Sequence, residues 1–140
     1  MSLDWIQTSL RGSAGARTTG NALFELLALA PADGFEVSPS DSAWKAARIV
    51  LVEVQAEDVK DTEEPSETFS ARIREGLLRA AEWLNSRPAG AFDRCRAEGF
   101  KLDVFFGGWL DGEQFDLDMP AEFLLACGRA GLPISICTND

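Results

Sequence analysis

The stretch ARIVLVEVQ, Ala47–Gln55, carries Ile49, Val50, Val52 and Val54 in one cluster. Side chains branched at Cβ crowd a helix but pack well on a pleated surface, so this run predicts a strand well inside a sheet. Downstream, Phe100, Leu102, Val104 and Phe106 alternate with Lys101, Asp103 and Phe105, the period of two that buries one strand face. Between the two the period changes. Phe69, Ile73, Leu77, Ala80, Ala81 and Leu84 recur every three or four residues and stripe one side of a long helix. Strand patterns interleaved with helical ones predict an α/β (α+β) fold of two layers, a largely antiparallel or mixed sheet covered by helices.

Ser66 is the expected N-cap of the long helix, after an acidic loop over residues 57–67 that is too polar to pack. Its outer face carries Arg72, Glu75, Arg79 and Glu82, spaced for ion pairs worth only about 0.2–0.5 kcal/mol each, and so is expected to be solvated. Asn85 and Pro88 stop this helix. A second is expected from Pro88 to about residue 98, closed by a left-handed Gly99, the two forming a helical hairpin. After Gly107 and Gly108, the Asp111-Gly112 pair is a turn signal, and Phe115 and Leu117 alternate in an expected returning strand. A helix from Asp118 or Met119, with Pro120 in its first turn, runs to Arg129 and turns Phe123, Leu124, Cys127 and Ala130 inward. Gly131 and Pro133 release the chain into a last strand over residues 134–138.

The N-terminal side has weaker patterning. Residues 3–10 alternate loosely, as an edge strand does, and lead into the loop RGSAGARTTGN at 11–21. Leu23, Phe24, Leu27 and Ala30 make a short helix that Pro31 ends, and Phe35 and Val37 flank Glu36 in a very short strand. Length and a 46% apolar composition are those of a single domain over 1–140, of which 1–43 is the least patterned third.

Composition narrows the chemistry. There is no histidine and no tyrosine, so a serine or cysteine nucleophile would need Lys or a carboxylate as its base, and neither Ser-x-x-Lys nor Gly-x-Ser-x-Gly occurs. The net charge of −10, with three lysines and ten arginines scattered among carboxylates, opposes nucleic acid and anionic membranes and favours a basic partner. Cys95, Cys127 and Cys137 are an odd set without CxxC; they are read as buried thiols in a cytoplasmic protein, not as a disulfide framework or a zinc site. No apolar run approaches the roughly 18 residues of a membrane span, and the N-terminus lacks signal-peptide character. The 11–21 loop has three glycines but neither a P-loop ending nor GxGxxG, so it is read as a connection.

Candidate binding residues gather around the expected hairpin: Trp109 with Asp111, Glu113, Asp116 and Asp118. Tryptophan beside two glycines suits a partner anchor, because aromatic residues with a polar handle are favoured at interfaces. Trp44 and Trp83 are the other suggestive tryptophans, with Trp83 expected in the core. Asp103, Asp116 and Asp118 would share a strand face if both strands form, and could hold a divalent cation or divide acid and base roles; the EF-hand spacing is absent. No catalytic residue, metal ligand or cofactor is assigned.

Residues 44–138 resemble a family of small bacterial domains of unknown function, some found beside polymorphic toxin systems and associated with immunity. The matching pieces are Trp44 before the Ile49 to Val54 strand, the 69–84 helix, the 100–106 strand, and FLLACGRAGLPISI set against the family's Leu-Ala-x-Leu-Gly-Leu ending. The N-terminal third departs from that pattern, and Cys137 stands where the family's last strand often carries an aromatic. The resemblance implies no catalytic residues. The resulting expectation is a non-enzymatic, immunity-like interaction protein presenting an acidic surface to a basic protein. The alternatives are a carboxylate site for a metal-dependent enzyme or small ligand, and a self-associating homo-oligomer such as a homodimer.

Overall fold

The β-branched run forms a strand with the bounds the sequence gives, Ala47–Gln55. The computed structural model describes residues 5–13, 20–38, 46–109 and 117–138. In chain order the elements are β1 (Trp5–Ser13), α1 (Gly20–Leu26), β2 (Glu36–Ser38), β3 (Ala47–Gln55), α2 (Pro65–Asn85), α3 (Ala91–Ala97), β4 (Lys101–Trp109), α4 (Ala121–Arg129) and β5 (Ile134–Thr138). The strands make one five-stranded mixed sheet ordered β2-β3-β1-β4-β5. The first three pairings are antiparallel, whereas β4 and β5 run parallel, joined by the α4 crossover.

One sheet face is covered. Ile6 and Leu10 of β1, Ile49, Val52 and Val54 of β3, and Leu102, Val104 and Phe106 of β4 are all buried. Three contacts put the helices on this face. Leu23 of α1 lies over Gly12, Gly76 of α2 rests on Val52, and Phe123 of α4 meets Phe106 edge to face at 6.1 Å. The core helix stripe is as the period requires, with Phe69, Ile73, Leu77, Ala80, Ala81 and Leu84 buried.

Several expectations are corrected. β1 is the central strand and not an edge, since β3 and β4 flank it on both sides. Its polar residues mislead: Gln7 and Arg11 point to the face that no described helix covers, while Thr8 and Ser9 are small enough to be buried. α2 packs against α4, and α3 against α1 and β4, in place of an α2–α3 hairpin. Pro65 occupies the first turn of α2 with Glu64 at the cap, so the N-cap is not Ser66. α3 starts after a left-handed Gly90 and not at Pro88. Gly99 does adopt the left-handed conformation, at φ 97°. No strand returns along residues 104–108, because β1 and β5 occupy both edges of β4 there; the Asp111-Gly112 turn lies outside the described residues. Leu124 points outward at 46% exposure, with Ala126 taking the inward place.

Thr8 is the one point in the described core where a polar atom is unmatched. Its Oγ1 is buried between neighbouring strands with no hydrogen-bond partner among the described residues. A buried hydroxyl without a partner carries its full desolvation cost, so Thr8→Val is expected to stabilise the fold by about 1–2 kcal/mol. Urea unfolding monitored by circular dichroism checks this through a raised midpoint at unchanged slope.

Candidate functional site

The second sheet face carries no described helix, and strand alternation places Trp5, Gln7, Ser9 and Arg11 of β1 beside Asp103, Phe105, Gly107 and Trp109 of β4. Contacts among these groups fix the face. Arg11 donates from Nε and Nη2 to the two Asp103 carboxylate oxygens at 2.8 and 2.5 Å, and its guanidinium stacks on Phe105 at 4.2 Å. The hydrogen bonds to Asp103 push the Arg11 guanidinium further above its ordinary range. On the β3 side, Gln7 donates to Glu53 at 3.4 Å.

At one end of this face Trp5 and Trp109 are direct cross-strand partners. Directly opposed residues of an antiparallel pair project to the same side with their Cβ atoms about 5 Å apart, so the two indoles leave the sheet from adjacent positions. They remain 38% and 44% exposed. Gly107 leaves the face low beside them, while Gly108, on the core side, allows β1 and β4 to approach closely. A sheet face turned to water normally alternates to polar residues; here two tryptophans, Phe105 and Val50 interrupt that pattern.

Of the residues singled out in the sequence, Trp109 ends β4 on this face and Asp118 is exposed in the segment before α4. Asp111, Glu113 and Asp116 lie outside the described residues, as does Trp44. Trp83 is buried and donates its indole N–H to Asp33 at 3.0 Å. Asp103 is paired with Arg11 and is not a free carboxylate. Among the described residues no three Asp, Glu, Cys or His side chains are placed to hold a metal ion. Cys95 and Cys127 are buried, and burial pushes the Cys127 thiol up to about 11 and raises that of Cys95, so both stay protonated near neutral pH. Cys137 is half-buried at the sheet edge. No described helix is long and apolar enough to cross a membrane.

Two features escaped sequence reasoning. Trp5 is hidden in a segment whose loose alternation reads as a marginal edge, although the alternation of Trp5 with Ile6 is a signal for it. The other is a groove of about 580 Å³ between β3 and α2, closed at one end by Phe35. Its end wall is built around Trp83. Phe35 meets that ring edge to face at 5.4 Å, Arg79 stacks on Phe35 at 5.3 Å, and Arg87 covers Trp83 at 4.1 Å while donating to the carbonyls of Leu27, Ala28 and Trp83.

Asp33 is tuned within this wall. The Ala30 backbone N–H and then the Trp83 indole hold its carboxyl below the ordinary carboxylate range. A depressed folded-state pKa contributes stability above the unfolded value, and this is lost as pH falls through the folded one. The Trp83 indole N–H resonance should therefore titrate below the ordinary carboxylate range in the native chain, and the step should vanish in Asp33→Asn.

No protein-family model, no curated protein and no solved structure matches this chain.

Proposed function

We propose that this chain is a non-enzymatic binding protein that docks a basic protein partner on the sheet face that no described helix covers, with Trp5 and Trp109 as anchors. The cross-strand pairing of these two partly exposed tryptophans on a face without a described helix is the observation that carries the reading. Tryptophan offers large, stiff contact area and recurs among residues whose truncation costs most binding energy. The face itself is close to balanced in charge, with Arg11 neutralised by Asp103. The acidic excess lies elsewhere: in the net charge of −10 and in Asp111, Glu113, Asp116 and Asp118, which follow Trp109 along the chain. Charge so placed steers a basic partner and speeds encounter, while the two tryptophans hold it. An immunity-like role in the cytoplasm, blocking a basic toxin, is the biological form of this proposal.

Affinity capture at low salt, with the native chain and a Trp5→Ser/Trp109→Ser variant in parallel, tests it. A basic protein retained by the first, lost from the variant and eluted by a few hundred millimolar salt supports the reading. Retention that ignores both tryptophans contradicts it.

Self-association is a second reading, favoured by β5. This edge strand has no charged residue and no proline, Ile136 on it is 57% exposed, and Leu124 and Leu125 on α4 are also exposed. Unprotected edges of this kind template pairing between copies. Sedimentation of the native chain and of Ile136→Lys distinguishes a dimer, which the lysine would dissociate, from a monomer.

A further inference from the structure

The outer edge of β3 is covered for only part of its length. β2 pairs with Arg48, Ile49 and Val50 and goes no further. Beyond it, Leu51 is the extra residue at a bulge in the β1 pairing, and residues 52–55 have β1 on their inner side and no described strand on the outer one. Such an edge offers unpaired backbone N–H and C=O groups, the chemistry that recognises another extended backbone. The groove of about 580 Å³ runs along this edge, with residues 50–54 on one side and Arg72, Glu75, Gly76 and Arg79 of α2 on the other. Gly76 sets the approach of the helix. A Cβ there would stand 2.7 Å from Val52 Cγ1, so its absence lets α2 lie directly over β3 and brings its charged row to the strand edge.

That row is positive, negative, positive. At 1.5 Å rise per residue Arg72, Glu75 and Arg79 span roughly 10 Å along the helix. Three successive same-side residues of a strand span about 13 Å, a difference that long side chains absorb. Among the described residues no ion pair engages any of the three, although their spacing permits pairs with one another. Arg79 instead stacks over Phe35 at the groove's end.

We propose that this edge receives an extended segment of a partner protein that carries acidic, any, basic, any, acidic residues in sequence. The segment adds a strand in line with β2 and matches its alternate side chains to Arg72, Glu75 and Arg79. The backbone edge supplies affinity and the charged row supplies register. The inference is independent of the Trp5–Trp109 reading, since neither tryptophan lines the groove.

The probe is the capped peptide TVEVKVEVT, titrated into the full chain and followed by backbone amide resonances. Shifts confined to residues 50–55 and 72–79 are expected, with binding about tenfold tighter than for the charge-exchanged peptide TVKVEVKVT, from three exposed charge pairs. The variant R72E/E75R/R79E, altered only at exposed positions, should reverse that preference. N-methylation of alternate peptide amides on the edge-facing side should abolish binding. Absence of shifts at millimolar peptide, shifts elsewhere, or equal binding of the two peptides to the native chain would overturn the proposal.

Discussion

Phe106→Ala is expected to lower the unfolding free energy by about 3–5 kcal/mol, the range for emptying a fully buried aromatic site. Phe106 is 1% exposed at the centre of β4, between β1 and β5. Its ring meets Phe123 edge to face, and Phe123 is itself fully buried. Truncation removes transfer energy, leaves a cavity and takes away an aromatic pair that contributes about 0.5–1.5 kcal/mol beyond its area. Neighbouring strands fix the backbone on both sides, so the site has little freedom to collapse. Chemical unfolding checks the size of the loss. A loss under 1 kcal/mol would mean that α4 does not pack over β4 as described.

Gly108→Ala is the second large effect, and it connects the fold to the proposed docking face. A Cβ at Gly108 would stand 2.2 Å from the Trp5 carbonyl oxygen and 3.0 Å from Ile6 Cδ1. The first obstacle is backbone, which cannot rotate away, so β1 and β4 must separate at the end that pairs Trp5 with Trp109. We expect about 3 kcal/mol of destabilisation, at the upper end for overpacking. The adjacent Gly107→Ala is the internal comparison. Its Cβ meets Phe105 Cε1 at 2.7 Å, the far end of a side chain that can turn aside. That substitution should cost under about 1 kcal/mol. Thermal unfolding of the pair separates a clash with backbone from one with a side chain, and equal losses would contradict the close β1–β4 approach.

Local patterning was legible in the sequence wherever one face is buried. β-branched residues set β3, the 3.6-residue recurrence set α2, and Gly99 marked the end of α3. Pairing was less legible, because period says which face is buried and nothing about which strand lies alongside. β1 reads as an edge because residues 3–10 alternate only loosely; Gln7 and Arg11 do point away from the helices, but on a strand flanked on both sides whose second face has no described helix. The returning strand after Asp111-Gly112 was inferred from a local turn signal. The β5 edge position instead goes to a strand arriving through the α4 crossover, a choice made by tertiary packing.

The same distinction applies to the sites. Trp109 could be singled out from its glycine neighbours, but its partner Trp5 lies over one hundred positions away and only strand register joins them. Likewise, Arg72, Glu75 and Arg79 looked like an ordinary solvated helix face, as their exposure confirms. What sets them apart is the unpaired edge of β3 beside them. Asp103 illustrates the converse: read alone it is a candidate metal ligand, while the fold brings Arg11 to it as a bidentate pair.

Site-directed photocrosslinking tests the central claim, that the sheet face without a described helix is the working surface. A benzophenone amino acid placed at Gln7, on that face, and at Glu82, on the exposed side of α2, is irradiated in extract of the source cells. The account predicts an adduct with one basic protein from position 7 and none from position 82, weakened when Trp5 and Trp109 are replaced by serine. An adduct formed from position 82 alone, or from position 7 regardless of the tryptophans, would contradict it.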